Sequence, residues 1–333
     1  MKYAAISMFL LQGAIQICLA QESNLKEDYS ALLPEARTVN RFLAHLPPST
    51  ILTKEGMAKA RTEMQGFVNA KAVQKSSEKI IQGPGGNLKL KIFKPDTIHA
   101  VILDIHGGGW CNGTADNDAL FNDEAASSCK VAVVSLDYRL APENAFPACV
   151  DDCKAAIKWL LAHAKAEFGT DRIIIQGASA GAHLAAVTTL YVRDSLKAID
   201  KVRGVNLAYG VYDLGRTPSY RQATDTSFLS KKSMDEIFQM VFKGWTLERL
   251  QDPHFSPLYA DLHGLPSALF TIGALDPLAD DTYFMEARWR MAGNKTFLAV
   301  YPESPHGVDI LPTKMALAAK NRMIEWIKGI AGM

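Results

Sequence analysis

Between Leu88 and the C-terminus, short apolar runs alternate with amphipathic helical stretches, and few folds can bury such a pattern. Leu88 to Phe93 alternates like a half-buried strand. Val101 to Ile105, Val131 to Leu136, Ile173-Ile174-Ile175, Ala268 to Ile272 and Phe297 to Val300 are short apolar runs with β-branched residues. Between them, Cys149 to Ala164 and His183 to Val192 carry helical spacing, and Thr313 to Ile327 closes the chain in the same way. Strands separated by helices of this length imply an α/β fold, a mostly parallel central sheet with helices on both faces. The stretch from about residue 215 to 257 breaks the rhythm. It is rich in Ser, Thr, Lys and Asp with a helical piece at Met234 to Phe242, and reads as an insertion over the edge of the sheet. Residues 24–77 are also helical in pattern, broken at Pro47-Pro48, and Gly83-Pro84-Gly85-Gly86 is a turn.

The sharpest local signal is Gly177-Ala178-Ser179-Ala180-Gly181, which follows the Ile173 strand and opens the His183 helix. A serine on so tight a strand-to-helix turn needs small neighbours two residues away on each side, because the flanking backbones pass closely. A bare match arises by chance in roughly one chain in ten of this length, but a chance match need not fall between a strand and a helix. The second signal is His106-Gly107-Gly108-Gly109-Trp110, directly after the strand Val101 to Ile105. Consecutive glycines open conformations closed to other residues and expose N–H groups, which suits the oxyanion that forms at a carbonyl under attack. The N–H of Ala180 adds a donor. The glycine spacing matches neither a dinucleotide-binding loop nor a Walker loop.

A nucleophilic serine needs a base, and the base needs an orienting acid. His306, in Ser304-Pro305-His306-Gly307, follows the strand Phe297 to Val300, and Asp276, in Leu275-Asp276-Pro277-Leu278, follows the strand Ala268 to Ile272. Both fall at the carboxyl ends of strands, where open α/β sheets bind ligands. The order Ser179, Asp276, His306 is that of α/β hydrolases. Asp280 and Asp281 lie one turn further on, where capping or helix-dipole stabilisation is the ordinary role. His163, His183, His254 and His263 read as structural.

The set formed by His106 to Trp110, Asp137-Tyr138-Arg139-Leu140-Ala141-Pro142-Glu143, Gly177 to Gly181, Leu275 to Leu278 and His306-Gly307 resembles the hormone-sensitive-lipase family of α/β hydrolases, from about Gly83 to the C-terminus. The resemblance implies a serine carboxylesterase acting on short-to-medium acyl chains, with Ser179, Asp276 and His306 as triad. It places Gly107, Gly108, Gly109 and Ala180 around the oxyanion, with no metal and no organic cofactor. It also implies a helical cap made from the N-terminal region (residues 21–82) and the 215–257 insertion, over a catalytic domain of residues 83–333. Bulky Trp110, beside the oxyanion loop, is expected to contact substrate. Ala178 departs from the Asp or Thr that many members carry before the serine. The Asp137 to Glu143 segment is expected to be structural. An amidase or deacetylase on the same triad stays open. A non-catalytic small-molecule receptor on this scaffold is disfavoured, because His306 is retained.

Composition removes other classes. With 48% hydrophobic and 21% charged residues and a net charge of +1, the chain is globular and lacks a basic field for nucleic acid. Residues 1–20 read as a secretory signal: Lys2, an uncharged stretch from Tyr3 to Gln21, and small residues at its end. An N-terminal amphipathic helix or an uncleaved anchor are the alternatives. Cleavage implies a secreted or periplasmic protein with no stable membrane insertion. A glycan on the sequon Asn112-Gly113-Thr114 would block the oxyanion loop, which favours a bacterial exported enzyme. Cys111, Cys129, Cys149 and Cys153 would then either pair or remain buried thiols. The expected partner is a small-molecule ester, and nothing in the sequence fixes an oligomeric state.

Overall fold

The computed structural model describes residues 28–45, 56–57, 59, 61–62, 76–225 and 228–333. The presumed signal, residues 1–20, lies outside them. Eight strands form one sheet: β1 (Ser76–Gly83), β2 (Gly86–Phe93), β3 (Ala100–Ile105), β4 (Val131–Asp137), β5 (Ile173–Ala178), β6 (Val202–Ala208), β7 (Ala268–Gly273) and β8 (Thr296–Tyr301). Their spatial order is β1-β2-β4-β3-β5-β6-β7-β8. β1–β2 and β2–β4 are antiparallel, and every other pairing is parallel.

The described helices are α1 (Leu33–Leu43), α2 (Ala119–Cys129), α3 (Ala148–Phe168), α4 (Ala180–Asp194), α5 (Pro218–Gln222), α6 (Lys231–Val241), α7 (Leu247–Leu250), α8 (Ala279–Met291) and α9 (Lys314–Ala331). The two-residue period of a strand sorts its side chains between two cores. Val101, Leu103, Ile105, Ile173 and Ile175 face α3 and α4. Ala100, Ile102, Val131, Val133 and Ile174 face α2 and α9. All are buried, which is why the central strands read as continuous apolar runs, and each large aliphatic contributes about 1.5–3 kcal/mol by leaving water.

Two strands escape the apolar-run criterion. β1, Ser-Ser-Glu-Lys-Ile-Ile-Gln-Gly, is a largely exposed edge strand, so its sequence is polar. It is held by the hairpin whose Gly83 and Gly86 pair across the turn. Residues 76–82, assigned from sequence to the N-terminal region, therefore belong to the sheet. β6 is buried but interrupted by Arg203, Gly204 and Asn206. At Gly204 a Cβ would lie 2.8 Å from the Trp326 ring, so α9 packs closest where the strand lacks a side chain. The expected helices lengthen in place. α3 runs to Phe168 and stops at Gly169, with φ 77°, the left-handed residue that ends helices. α9 starts at Thr313, whose hydroxyl accepts the Ala316 N–H.

The 215–257 insertion leaves the sheet between β6 and β7 and carries α5, α6 and α7. Of the N-terminal region, α1 is tied to the loop after β8 by Asn40, which donates to the Glu303 carbonyl at 2.6 Å.

Candidate active site

Parallel strands deliver their carboxyl ends to one edge of the sheet, and the chemistry-bearing residues follow those ends. His106 follows β3, Ser179 follows β5, Asp276 follows β7 and His306 follows β8. Ser179 caps α4 with φ 55° and ψ −121°, a strained conformation for a residue with a side chain, and its N–H donates to the Ala208 carbonyl at 2.8 Å. The turn is possible because its flanks are glycine: a Cβ on Gly177 would lie 2.3 Å from the Gly181 carbonyl oxygen, and one on Gly181 1.9 Å from that of Ile105.

The three expected triad residues meet. His306 Nε2 is 3.0 Å from Ser179 Oγ, and His306 Nδ1 is 2.8 Å from Asp276 Oδ2. The second oxygen of Asp276 accepts the Leu278 N–H at 2.8 Å. The Asp276 side chain is fully buried and that of His306 nearly so, whereas Ser179 is half-exposed. Chemistry fixes the tautomer: an ionised Asp276 can only accept, so Nδ1 carries the proton and Nε2 is free to accept from the serine hydroxyl.

Gly107 lies against the nucleophile, where a Cβ would be 2.9 Å from the Ala178 carbonyl oxygen and 3.4 Å from Ser179 Cβ. Gly108 and Gly109 have φ 116° and 60°, and the loop closes on itself through the N–H groups of Cys111 and Asn112, which donate to the Gly108 carbonyl. Ala180 stands in the first turn of α4, where N–H groups have no acceptor within the helix. The loop is braced from behind. His106 is buried, stacks on Tyr138 at 4.1 Å and has its proton affinity lowered to a pKa of about 4 by burial. The Tyr138 hydroxyl donates to the His106 carbonyl. Arg139 grips the buried carboxylate of Asp152, so the Asp137 to Glu143 segment has the structural role expected of it.

Trp110 departs from expectation. A substrate contact would face the cleft, but Trp110 is 2% exposed, while Gly107, Gly108 and Gly109 before it remain accessible. Its φ of 59° turns the side chain away from the cleft into an aromatic cluster of Phe146, Phe238, Phe242 and His183. The indole N–H donates to His183 Nδ1 at 3.1 Å, and His183 Nε2–H donates to the Phe255 carbonyl. Trp110 thus anchors the insertion to the oxyanion loop. The side chain over that loop is Ile237 of α6, which a Cβ on Gly109 would meet at 3.0 Å. Phe228, from the same insertion, and Ile310 lie beside Gly307, and both are exposed.

Asp280 and Asp281 do more than cap. Asp281 is buried, and its carboxyl accepts the N–H groups of Tyr212 and Asp213 at 2.6 and 2.8 Å and the Thr217 hydroxyl at 2.7 Å. Burial pushes it up to a pKa of about 7, against the pull of those donors. Asp280 accepts the Ser219 N–H. The pair fastens the start of the insertion to α8. No sequence pattern points to Arg61 either. Its guanidinium pairs with Glu143 and donates to the carbonyls of Cys111 and Ala141, fastening the N-terminal region to the oxyanion loop. The four cysteines at 111, 129, 149 and 153 are free and buried, and burial pushes the Cys111 thiol up to about 12.

Comparison with known proteins agrees with this architecture. A family model described as alpha/beta hydrolase fold matches residues 102–310. The carboxylic ester hydrolase LipN of Mycobacterium tuberculosis is 32% identical over 235 residues, which cover 68% of this chain and 62% of that protein. An arylesterase of Saccharolobus solfataricus is 35% identical, covering 58% of this chain. The chain spans about three fifths of the length of these two relatives. Among solved structures, a bacterial heroin esterase aligns with TM-score 0.80 and 27% identity over 92% of this chain and 99% of that one. A hormone-sensitive lipase from a metagenome library aligns with TM-score 0.74 and 26% identity over 89% of this chain and 98% of that one. With the family model covering more than half of the sequence, and the elbow, the glycine loop and the strand order in agreement, this chain belongs to the α/β-hydrolase-fold family, in its hormone-sensitive-lipase-like branch.

Proposed function

We propose that this protein is a serine carboxylesterase that hydrolyses short-to-medium-chain carboxylic esters. The observation that carries the reading is the continuous relay from Ser179 Oγ to His306 Nε2 at 3.0 Å and from His306 Nδ1 to Asp276 Oδ2 at 2.8 Å. Ser179 attacks the ester carbonyl as His306 takes its proton, and Asp276 holds the imidazolium. The N–H groups of the glycine loop and of Ala180 receive the oxyanion. His306 then protonates the departing alcohol, and water attacks the acyl-enzyme by the same route. Support for short acyl chains comes from Ile237, which closes over the glycine loop from the insertion.

A panel of aryl esters from acetyl to palmitoyl, with a matched anilide and Ser179→Ala as control, tests this. The expected pattern is fastest turnover between acetyl and hexanoyl, little on the anilide and none above background in the variant. Equal rates on ester and anilide would make it an amidase, and rates rising steadily to palmitoyl would overturn the chain-length reading.

A further inference from the structure

Tyr209 is the first residue after β6, and two of its surroundings belong to the active site. The carbonyl of the preceding residue, Ala208, accepts the Ser179 N–H at 2.8 Å, and Tyr209's own N–H donates to Thr271 of β7 at 2.7 Å. Its φ is 38°, a left-handed conformation that costs a bulky side chain energy and persists only where the surroundings enforce it. The ring is buried against His306, centroids 4.9 Å apart and planes at 71°. Its hydroxyl donates to Asp309 Oδ1 at 2.6 Å. Asp309 lies three residues beyond His306 in the same loop, so the tether runs from the backbone that holds the nucleophile, across the imidazole, to the loop that carries the base.

We propose that Tyr209 and Asp309 are positioning residues for the His306 base: the tyrosine ring fixes the tilt of the imidazole, and the Asp309 carboxylate adds a second negative charge that favours the imidazolium formed when Ser179 gives up its proton. This rests on the esterase reading above.

The charged groups linked to His306, directly or through Asp309, come from several elements. Asp276 follows β7, Asp309 shares the loop, Asp118 precedes α2, Asp104 lies on β3 and Lys320 lies on α9. Burial pushes the Asp118 carboxyl well above the ordinary range, and Asp104 and Asp309 add to the shift. Burial raises the Asp309 carboxyl too, and the Tyr209 hydroxyl, Lys320 and His306 offset only part of that rise. Asp104 is satisfied by Asn122, Ser135 and Gln176 and faces the other way into the sheet core. Apart from Asp276, the carboxyl that shares a loop with the imidazole and interacts with it electrostatically is Asp309. A buried tyrosine that only filled space would need neither the strained backbone nor an acid partner.

The test is the pH dependence of Ser179 labelling by a fluorophosphonate, followed by intact-protein mass spectrometry, for the wild type, Asp309→Asn and Tyr209→Phe. Asp309→Asn keeps an acceptor for the hydroxyl but removes the charge, so the acid limb should move to lower pH by about half a unit or more, because the uncharged base survives to lower pH. Tyr209→Phe keeps the ring and frees the loop; kcat on an aryl acetate should fall about tenfold while KM stays within about twofold. A purely structural pair would change the melting temperature alone. Unmoved acid limbs and kcat values near wild type in both variants would overturn the proposal. Absence of labelling in the wild type would instead overturn the esterase reading on which it stands.

Discussion

Replacing Asp276 with asparagine changes one oxygen to an NH2 group, and the structure dictates which one. Oδ1 accepts the buried Leu278 N–H, and Oδ2 accepts from His306 Nδ1. An asparagine that keeps its oxygen toward Leu278 turns its NH2 toward Nδ1. That forces the ring proton to Nε2, where it faces the serine hydroxyl, and the base is lost. Flipping the amide restores the tautomer but sets NH2 against the Leu278 N–H, two donors facing each other in a buried site, at a cost of about 1–3 kcal/mol. Even the flipped form lacks the charge that steadies the imidazolium, a charge-assisted bond contributing about 1.5–3 kcal/mol. Together these raise the barrier by about 3–6 kcal/mol, or ~10²–10⁴ in turnover. The substitution is nearly isosteric, so the melting temperature should move by only a few degrees. Turnover on an aryl acetate and a thermal melt, with Asp280→Asn as a control that keeps most of its activity, form the assay. If Asp276→Asn retains more than a tenth of wild-type turnover, the amide argument and the assignment of the orienting acid both fail.

Two further outcomes concern stability. Gly181→Ala would drive a Cβ to 1.9 Å from the Ile105 carbonyl oxygen and 2.5 Å from that of His106, both backbone, so a loss of more than about 4 kcal/mol is expected in a denaturant titration; a variant melting within a few degrees of wild type would refute the close approach. Asp281 has a folded pKa of about 7, above the ~3.9 of an unfolded aspartate, so the folded state holds the extra proton between those values and stability falls as pH rises from about 4 to about 7. Asp281→Asn removes this titration, so its stability relative to wild type should improve by up to about 4 kcal/mol across that window; a constant difference would mean that the carboxyl stays ionised throughout.

The sequence-to-structure relation divides along physical lines. Strands buried on both faces announce themselves, because Ile173-Ile174-Ile175 has no polar side to show, and the elbow is legible because only glycine fits at 177 and 181. Ser179 and Asp276 are readable because each follows such a strand, and His306 because it follows the half-buried apolar run of β8. β1 was hidden by its exposure, and β6 by the exposed Arg203, by Gly204 packed against α9 and by the buried Asn206. Trp110 is hard to read for a different reason. Its position beside the oxyanion loop follows from sequence, but the direction of its side chain depends on a φ of 59°, which no sequence pattern reveals. Arg61, Tyr209 and Asp281 share the remaining difficulty. Their partners lie 82, 100 and 69 residues away in sequence, at Glu143, beyond Tyr209 at Asp309, and at Tyr212, and only the folded chain brings them together.

The order of the sheet also bears on how the molecule is made. Among the described residues, β8 is an edge strand that pairs only with β7, and no strand follows it. The base rides on the loop that follows it, so any folding intermediate in which β8 has yet to dock has a nucleophile and no base. In such a species the flank of β7, Ala-Leu-Phe-Thr-Ile-Gly, is buried in the finished protein but open, a bare apolar template for another chain to pair with. The appearance of activity during refolding therefore marks the same event that closes the route to aggregation.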